Sequence, residues 1–168
     1  MMRKAILTLS IMLLPLLASA QQLRFGYFSY QEVFKSMAGY SIAMKHIDDL
    51  KKQYDAEMKR VEEEFNKKYE EFLDGQKDFA PSIREKRQAE LQEMMEKNIA
   101  FKQEARRLIK QAEEEALAPL KEKLNATLTA VGKEKGYAFI FNTDNNSLPY
   151  VNELMGENIN ALLTEKLK

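Results

Sequence analysis

Residues 47–72 read IDDLKKQYDAEMKRVEEEFNKKYEEF, and the spacing of the apolar side chains in this stretch decides the fold. Ile47, Leu50, Tyr54, Met58, Val61, Phe65, Tyr69 and Phe72 follow one another at steps of 3, 4, 4, 3, 4, 4 and 3. Such steps line one face of an α-helix. From Ile47 to Tyr69 the period averages about 3.67 residues, the eleven-residue repeat. The helix should therefore run nearly straight or slightly right-handed, not as a strict left-handed coiled coil. The apolar stripe is about one residue wide, and Lys, Glu, Asp and Arg fill the other faces. A helix this polar cannot be an ordinary packed core. It suits a projecting device whose work is grip or spacing.

Working outward, the arm is predicted from about Ser41 to about Phe79, roughly 60 Å at 1.5 Å per residue. Gly39 is read as a helix breaker before it. Asp48 and Lys52, Asp55 and Lys59, Glu63 and Lys67, Glu64 and Lys68, and Glu93 and Lys97 place the acid four residues before the base. Each such pair adds about 0.2–0.5 kcal/mol to an exposed helix. Gly75, Asp78 and Pro81 mark a reversal, with Pro81 suited to the first turn of a new helix and Ser82 with Glu85 as a possible cap pair. The return arm runs to about Lys135. Leu91, Met94, Met95, Asn98, Ile99, Phe101, Ala105, Leu108, Ile109, Ala112 and Ala116 form its stripe. Pro119 removes a backbone donor inside it, so a kink is expected there. Leu120, Leu124, Leu128 and Val131 continue the stripe beyond, with the leucine content of a segment entering a real core.

Short β-prone ends flank the hairpin. Phe25-Gly26-Tyr27-Phe28 reads as a strand. Ser29 and Glu32 then form a capping box for a short helix, Tyr30 to Ser36. Gly136 closes the long arm, and Tyr137 to Asn142 reads as a second strand. Residues 143–147 form a turn, and Leu148 to Val151 return as a short antiparallel edge strand, Pro149 keeping it to an edge. A terminal amphipathic helix follows Gly156, with Ile159, Leu162, Leu163 and Leu167 on one face. The fold class is α+β, mostly α: a small β body with a long protruding antiparallel helical hairpin. The body takes residues 21–45 and 118–168, and the arm takes 46–117.

Three short strands make a marginal sheet, and strands apolar on both faces must be covered on both sides. The terminal helix covers one side. Another copy of the chain is the economical cover for the other, with cyclic symmetry aligning the hairpins. Segment Leu120–Val131 covering that face within a monomer is the alternative. The oligomerisation candidates are Phe25, Tyr27, Phe28, Tyr137, Phe139, Ile140 and Phe141.

The first twenty residues read as a signal peptide: Arg3 and Lys4, an apolar run from Ala5 to Leu17, then Ala18-Ser19-Ala20, with cleavage between Ala20 and Gln21. Its apolar run of about 13 residues is too short to span a bilayer. The signal implies export, which in a double-membrane bacterium means the periplasm. The full chain of 168 residues carries 26 basic and 26 acidic side chains and no cysteine. Without residues 1–20 the balance is 24 basic to 26 acidic, against nucleic-acid binding, which needs a basic surface.

No catalytic constellation is legible. His46, the single histidine, sits in a charged helix with Asp49 one turn on, and two such groups do not make a metal site. There is no nucleophile elbow and no phosphate-cradling glycine loop. The chain is read as a non-enzyme without metal or cofactor. What remains is a binding surface. The candidate client-binding residues are Tyr54, Met58, Phe65, Tyr69, Phe72, Phe79, Met94, Met95, Ile99 and Phe101. Some must zip the arms together. The remainder are the adaptable methionine and aromatic side chains that promiscuous binders use.

The order of signal, strand Phe25–Phe28, the helix Ser29-Tyr-Gln-Glu-Val-Phe34, charged hairpin and Gly136-Tyr-Ala-Phe-Ile-Phe-Asn142 resembles the Skp/OmpH family of periplasmic chaperones. Tyr150 and the helix Glu157-Asn-Ile-Asn-Ala-Leu-Leu163 extend the resemblance to the end of the chain. It implies a homotrimer with hairpin tentacles around a cavity that holds unfolded outer-membrane β-barrel proteins without ATP. The near-neutral charge departs from the family's strongly basic members, which leaves lipopolysaccharide and membrane contact open. A structural spacer of the cell envelope, with the hairpin as a rod, is the competing reading.

Overall fold

The computed structural model describes residues 23–168; the signal and its cleavage site at Ala20 and Gln21 lie outside the described residues. In chain order the elements are β1 (Phe25–Phe28), α1 (Tyr30–Ser36), α2 (Ala38–Gly75), α3 (Pro81–Lys135), β2 (Phe139–Asn142), a 3-10 turn (Asp144–Asn146), β3 (Gly156–Asn158) and α4 (Asn160–Lys166). They fall into two compact units. One closes at Met37 and resumes over Glu122–Lys168, and the other is Ala38–Lys121.

The first unit is built on a three-stranded sheet in the order β2-β1-β3, parallel throughout. Phe25 lies opposite Phe139 and Gly156, and Tyr27 opposite Phe141 and Asn158. Alternation along the strands puts Gly26, Phe28 and Ile140 on the other face. That second face is covered by the chain's own helices. A Cβ at Gly26 would lie 3.0 Å from the Tyr137 ring and 3.2 Å from Ile159, and one at Gly132 of α3 would lie 3.5 Å from Ile140. Phe28, Val33, Phe34, Met37, Leu124, Val131, Ile159, Leu163 and Leu167 form the buried core. Ile159, Leu163 and Leu167 recur at helical spacing, so the apolar face expected of the last helix is the one buried. Replacing Leu163, fully buried, with alanine should cost about 3 kcal/mol of the unit's stability. Denaturant unfolding of the variant against the parent checks this.

Two expectations for the C-terminal section are corrected. Leu148–Val151 is not a strand; the third strand is Gly156–Asn158, parallel to β1, and the terminal helix starts later, at Asn160. The cause lies in the turn after β2. Asn142 Oδ1 accepts from the Tyr30 N–H at 3.1 Å, and Asp144 accepts from Gln31 N–H at 2.9 Å and from the Ser29 hydroxyl at 2.6 Å. These side chains cap α1, so the turn is anchored there instead of reversing into a hairpin. Pro149 adds no ladder donor. Gly156 then lets the strand pass the Phe25 ring, which a Cβ would meet at 2.5 Å.

The N-terminus of α1 shows how completely such groups are satisfied. Of its first four N–H groups, Tyr30 donates to Asn142 and Gln31 to Asp144, while Glu32 donates to Ser29 Oγ and Val33 to the Ser29 carbonyl. The capping box is only half as expected. The Ser29 N–H donates to Asn160 Oδ1 at 2.8 Å, and Glu32 instead receives Asn160 Nδ2 at 2.8 Å. Asn160 thereby ties the first turn of α4 to that of α1. At its far end α3 closes with a Schellman motif. Gly136 takes a left-handed φ of 67°, its N–H donates to Lys133 O, and Tyr137 N–H donates to Gly132 O.

The acid limb of stability should report this latch. The Ser29 hydroxyl and the Gln31 N–H hold the Asp144 carboxyl below its ordinary range, and the Tyr137 hydroxyl and Lys135 do the same for Glu157. A carboxyl whose folded pKa is depressed stabilises fully above its unfolded value of about 4, and that stabilisation is lost as pH falls through the folded value. The denaturation midpoint should therefore hold above about pH 5 and fall below about pH 4. Asp144→Asn should give a lower plateau and a shallower fall, read by denaturant titrations across that range.

The second unit is a helical hairpin. Tyr54 meets Phe101 with ring centroids 6.0 Å apart, Asn98 Nδ2 donates to Val61 O at 3.2 Å, and Gly39 faces Leu120. One number rises as its partner falls, which is antiparallel pairing. Gly39 does not break the helix. The break is at Met37, whose backbone is extended and side chain buried. Gly39 sits in the first turn of α2, where a Cβ would fall 2.9 Å from Leu120. At the reversal the Phe79 ring lies over Gly75, 6.3 Å from Phe72 and capped by Arg87 at 4.6 Å. Pro81 is the first residue of α3, and Ile83 and Arg84 donate to Ala80 O, so Ser82 lies inside the first turn and is not the cap. The helix continues unbroken through Pro119.

The ion pairs also differ from expectation. Of the five acid-to-base pairs, Glu93–Lys97 forms at 2.6 Å. Lys52 turns back to Asp49 and Lys59 pairs forward with Glu63. Arg60 bridges Glu57 at 2.7 Å and Glu64 at 3.2 Å, and Arg107 binds Glu104 at 2.7 Å. The forked guanidinium takes a carboxylate through two N–H groups, which an ammonium cannot. These pairs are exposed, so each adds little alone.

Candidate functional site

Two surfaces carry more apolar area than their own unit uses, one in each unit. In the hairpin, the seam between α2 and α3 opens into a shallow groove. Phe65, Tyr69, Phe72, Leu91 and Met95 line one stretch of it, and Phe65, Met95, Asn98 and Ile99 line the next. Phe65 and Met95 belong to both stretches, so the two are continuous. Gln88, Gln92, Glu62 and Lys102 form the rim. A narrow stripe of steps of 3 and 4 makes such a groove. It zips the facing residues, and neighbours half a step off the seam stay open to water.

The ten candidate arm residues divide accordingly. Phe72 is buried and packs on Phe79, so it belongs to the hairpin's own closure. Tyr54 and Phe101 are half-buried against each other. Met58, Phe65, Phe79 and Met94 are also half-buried. Tyr69 at 45%, Met95 at 41% and Ile99 at 51% are exposed. Tyr69 stacks on Phe65, the rings nearly parallel at 6.0 Å, which holds an exposed ring in a defined place. Ile42, Leu73 and Ile83 are exposed too, and sequence reasoning missed them. Their signal was present: each is a large apolar residue outside the named stripe.

In the sheet unit, the face opposite the helices carries Phe25, Tyr27, Phe139 and Phe141. Phe25 meets Phe141 edge-on at 5.5 Å, and Phe139 lies 5.8 Å from Phe141. Phe139 and Phe141 are exposed. The other three oligomerisation candidates serve the protomer. Phe28 is in the core and Ile140 reaches Gly132. Tyr137 donates its hydroxyl to Glu157, which also receives Lys135 at 3.0 Å and Arg24 at 3.4 Å. Burial and that hydrogen bond push the Tyr137 hydroxyl above its ordinary range. This cluster joins the ends of β1 and α3 to β3. Tyr150 and Leu154, in the segment before β3, are exposed and were not singled out by the sequence as an apolar surface.

No convergent chemistry accompanies either surface. His46 is exposed. Among the described residues no three His, Cys, Asp or Glu side chains are grouped to hold a metal ion. The Glu57, Glu93 and Glu104 carboxyls of the hairpin are held below their ordinary range by Arg60, Lys97 and Arg107 beside them on exposed helix faces. Those partners stabilise the ionised form and leave no proton to donate near neutrality.

A crystal structure of an OmpH-like protein from Caulobacter crescentus CB15, proposed to be an outer membrane chaperone, has the same fold. The TM-score is 0.69 at 15% identity, over 85% of this chain and 82% of that one. No curated protein matches the chain in sequence. The match to a family model spans residues 24–167, from the first strand through the hairpin to the last helix, and by it the chain belongs to the family of OmpH-like outer membrane proteins.

Proposed function

We propose that this protein is an ATP-independent holdase of the periplasm, which binds unfolded outer-membrane β-barrel proteins and keeps them from aggregating. The observation that carries this reading is the groove along the hairpin seam. Tyr69, Met95 and Ile99 lie open in it, with polar and charged side chains around them. An unfolded barrel strand alternates apolar and polar side chains. A shallow apolar groove with a polar rim accepts such segments weakly and in any order, which suits holding without selecting one sequence. Membership of the OmpH-like family supports the reading, as does the fold shared with the Caulobacter protein. The signal-like residues 1–20 support export.

Three copies would assemble through the sheet's aromatic face, where Phe139 and Phe141 are exposed among the described residues. Closed symmetry hides that face in every copy. Lipid and lipopolysaccharide contacts have no support from the near-neutral charge. A rod-like spacer would have no use for open aromatic and methionine side chains along its length, so the groove favours the holdase.

The test is dilution of a denatured outer-membrane β-barrel protein into buffer, without nucleotide, with and without the purified protein. Suppressed light scattering at a few-fold molar excess is the expected result. Unchanged aggregation rejects the reading.

A further inference from the structure

We propose that Met95 is an oxidation switch on the hairpin groove: its conversion to the sulfoxide makes the groove polar and weakens its hold on apolar ligands. The part concerning client release rests on the holdase reading; the part concerning the groove's polarity does not.

Three observations converge. The chain contains no cysteine, so two-electron oxidants that a thiol would otherwise intercept fall on methionine sulfur. Among the described methionines, Met37 is buried and Met44, Met58, Met94 and Met155 are half-buried, while Met95 is 41% exposed. Exposure is what makes one thioether react ahead of another. Met95 also lines both stretches of the groove, joining Phe65 and Tyr69 on one side to Ile99 on the other. A change there acts on the whole length of the open surface.

The chemistry is complete with hydrogen peroxide or hypochlorous acid as oxidant. The sulfur lone pair attacks the terminal oxygen. An S–O bond forms as the O–O or O–Cl bond breaks, and sulfur gives up two electrons. Water leaves in the first case, chloride and a proton in the second. The product carries a strongly polar S=O where a flexible apolar group stood. Placing an apolar ligand against it strips water from that oxygen without a compensating hydrogen bond, a cost on the order of three- to tenfold in affinity. Methionine sulfoxide reductases reverse the change, one for each epimer, so the switch can be reset.

The experiment treats the full mature protein with graded hydrogen peroxide and maps each methionine by peptide mass. Two readouts follow: fluorescence of the apolar dye anilinonaphthalene sulfonate, and suppression of aggregation of a denatured β-barrel protein. The parent and Met95→Leu are each compared with their own untreated sample. Met95 should gain oxygen before Met58 and Met94. Dye binding and holding by the parent should both fall about threefold or more, both should return after reductase treatment, and Met95→Leu should keep its untreated values at the same dose. Preferential oxidation elsewhere, an unchanged dye signal in the oxidised parent, or an equal loss in Met95→Leu overturns the proposal. Failure of the untreated parent to hold the β-barrel protein would sink the holdase reading alone, because the dye arm still decides what oxidation does to the groove.

Discussion

Phe139→Glu together with Phe141→Glu should convert the proposed trimer into monomers. Both rings are exposed on the sheet face opposite the described helices, and they lie 5.8 Å apart. An aromatic side chain can bury about 150–250 Å². With about half of that hidden by the protomer, each ring has roughly 2 kcal/mol to gain from a partner at about 25 cal/mol per Å². The substitution removes that gain from every copy and sets carboxylates against one another where the copies would meet. Uncompensated charge in a closed interface costs several kcal/mol more. Because the rings are outside the protomer's core, helical circular dichroism should persist. Light scattering should read a mass near one chain for the variant and near three for the parent. A parent that is already monomeric, or a variant whose mass does not fall, contradicts the assembly proposed here.

Tyr69→Ser, Met95→Ser and Ile99→Ser combined should abolish most client holding while the hairpin stays folded. Each of these side chains is more than two-fifths exposed, so removing it creates no buried cavity. Each loses roughly 1 kcal/mol or more of contact with a bound apolar segment, and the three together should weaken holding by more than about tenfold. Phe72→Ala is the contrast. Phe72 is 7% exposed and packs on Phe79 at the reversal. Its loss should destabilise the hairpin by about 3 kcal/mol and lower the unfolding midpoint. Equal holding by the triple variant and the parent would place client binding elsewhere.

The long-period features of this molecule were legible in the sequence because each repeats. Eight apolar residues between Ile47 and Phe72 specify one helix, and the same physics repeats in the return arm. Local signals were legible where a single residue type decides them. Gly136 supplies the left-handed φ, and Pro81 opens α3. The misreadings fall where two distant segments share one group. Ser29 and Glu32 satisfy the pattern of a capping box, but Asn160 takes its reciprocal half from 131 positions away. Asn142 and Asp144 look like turn residues, and they are, but their side chains are taken up by α1. The chain after them therefore does not reverse into an antiparallel strand. Gly39 resembles a breaker in one dimension, whereas its absent side chain accommodates Leu120. The site was legible only as a set. Periodicity named the seam, but which of its residues remain open depends on the rotation of each helix about its own axis. Phe72 is buried where it packs on Phe79 at the reversal, whereas Tyr69, one turn earlier, stays open.

The measurement that bears most directly on the central claim is site-specific photo-crosslinking to an unfolded outer-membrane β-barrel protein. One probe replaces Ile99 in the groove. The other replaces Lys97, two residues away and about 200° around the helix, where the side chain is exposed and paired with Glu93. The two positions lie only about 3 Å apart along the helix axis and face different sides. Adducts dominated by position 99 are the expected result. Equal yields from both positions, or a majority from position 97, would contradict the claim that the groove holds the client.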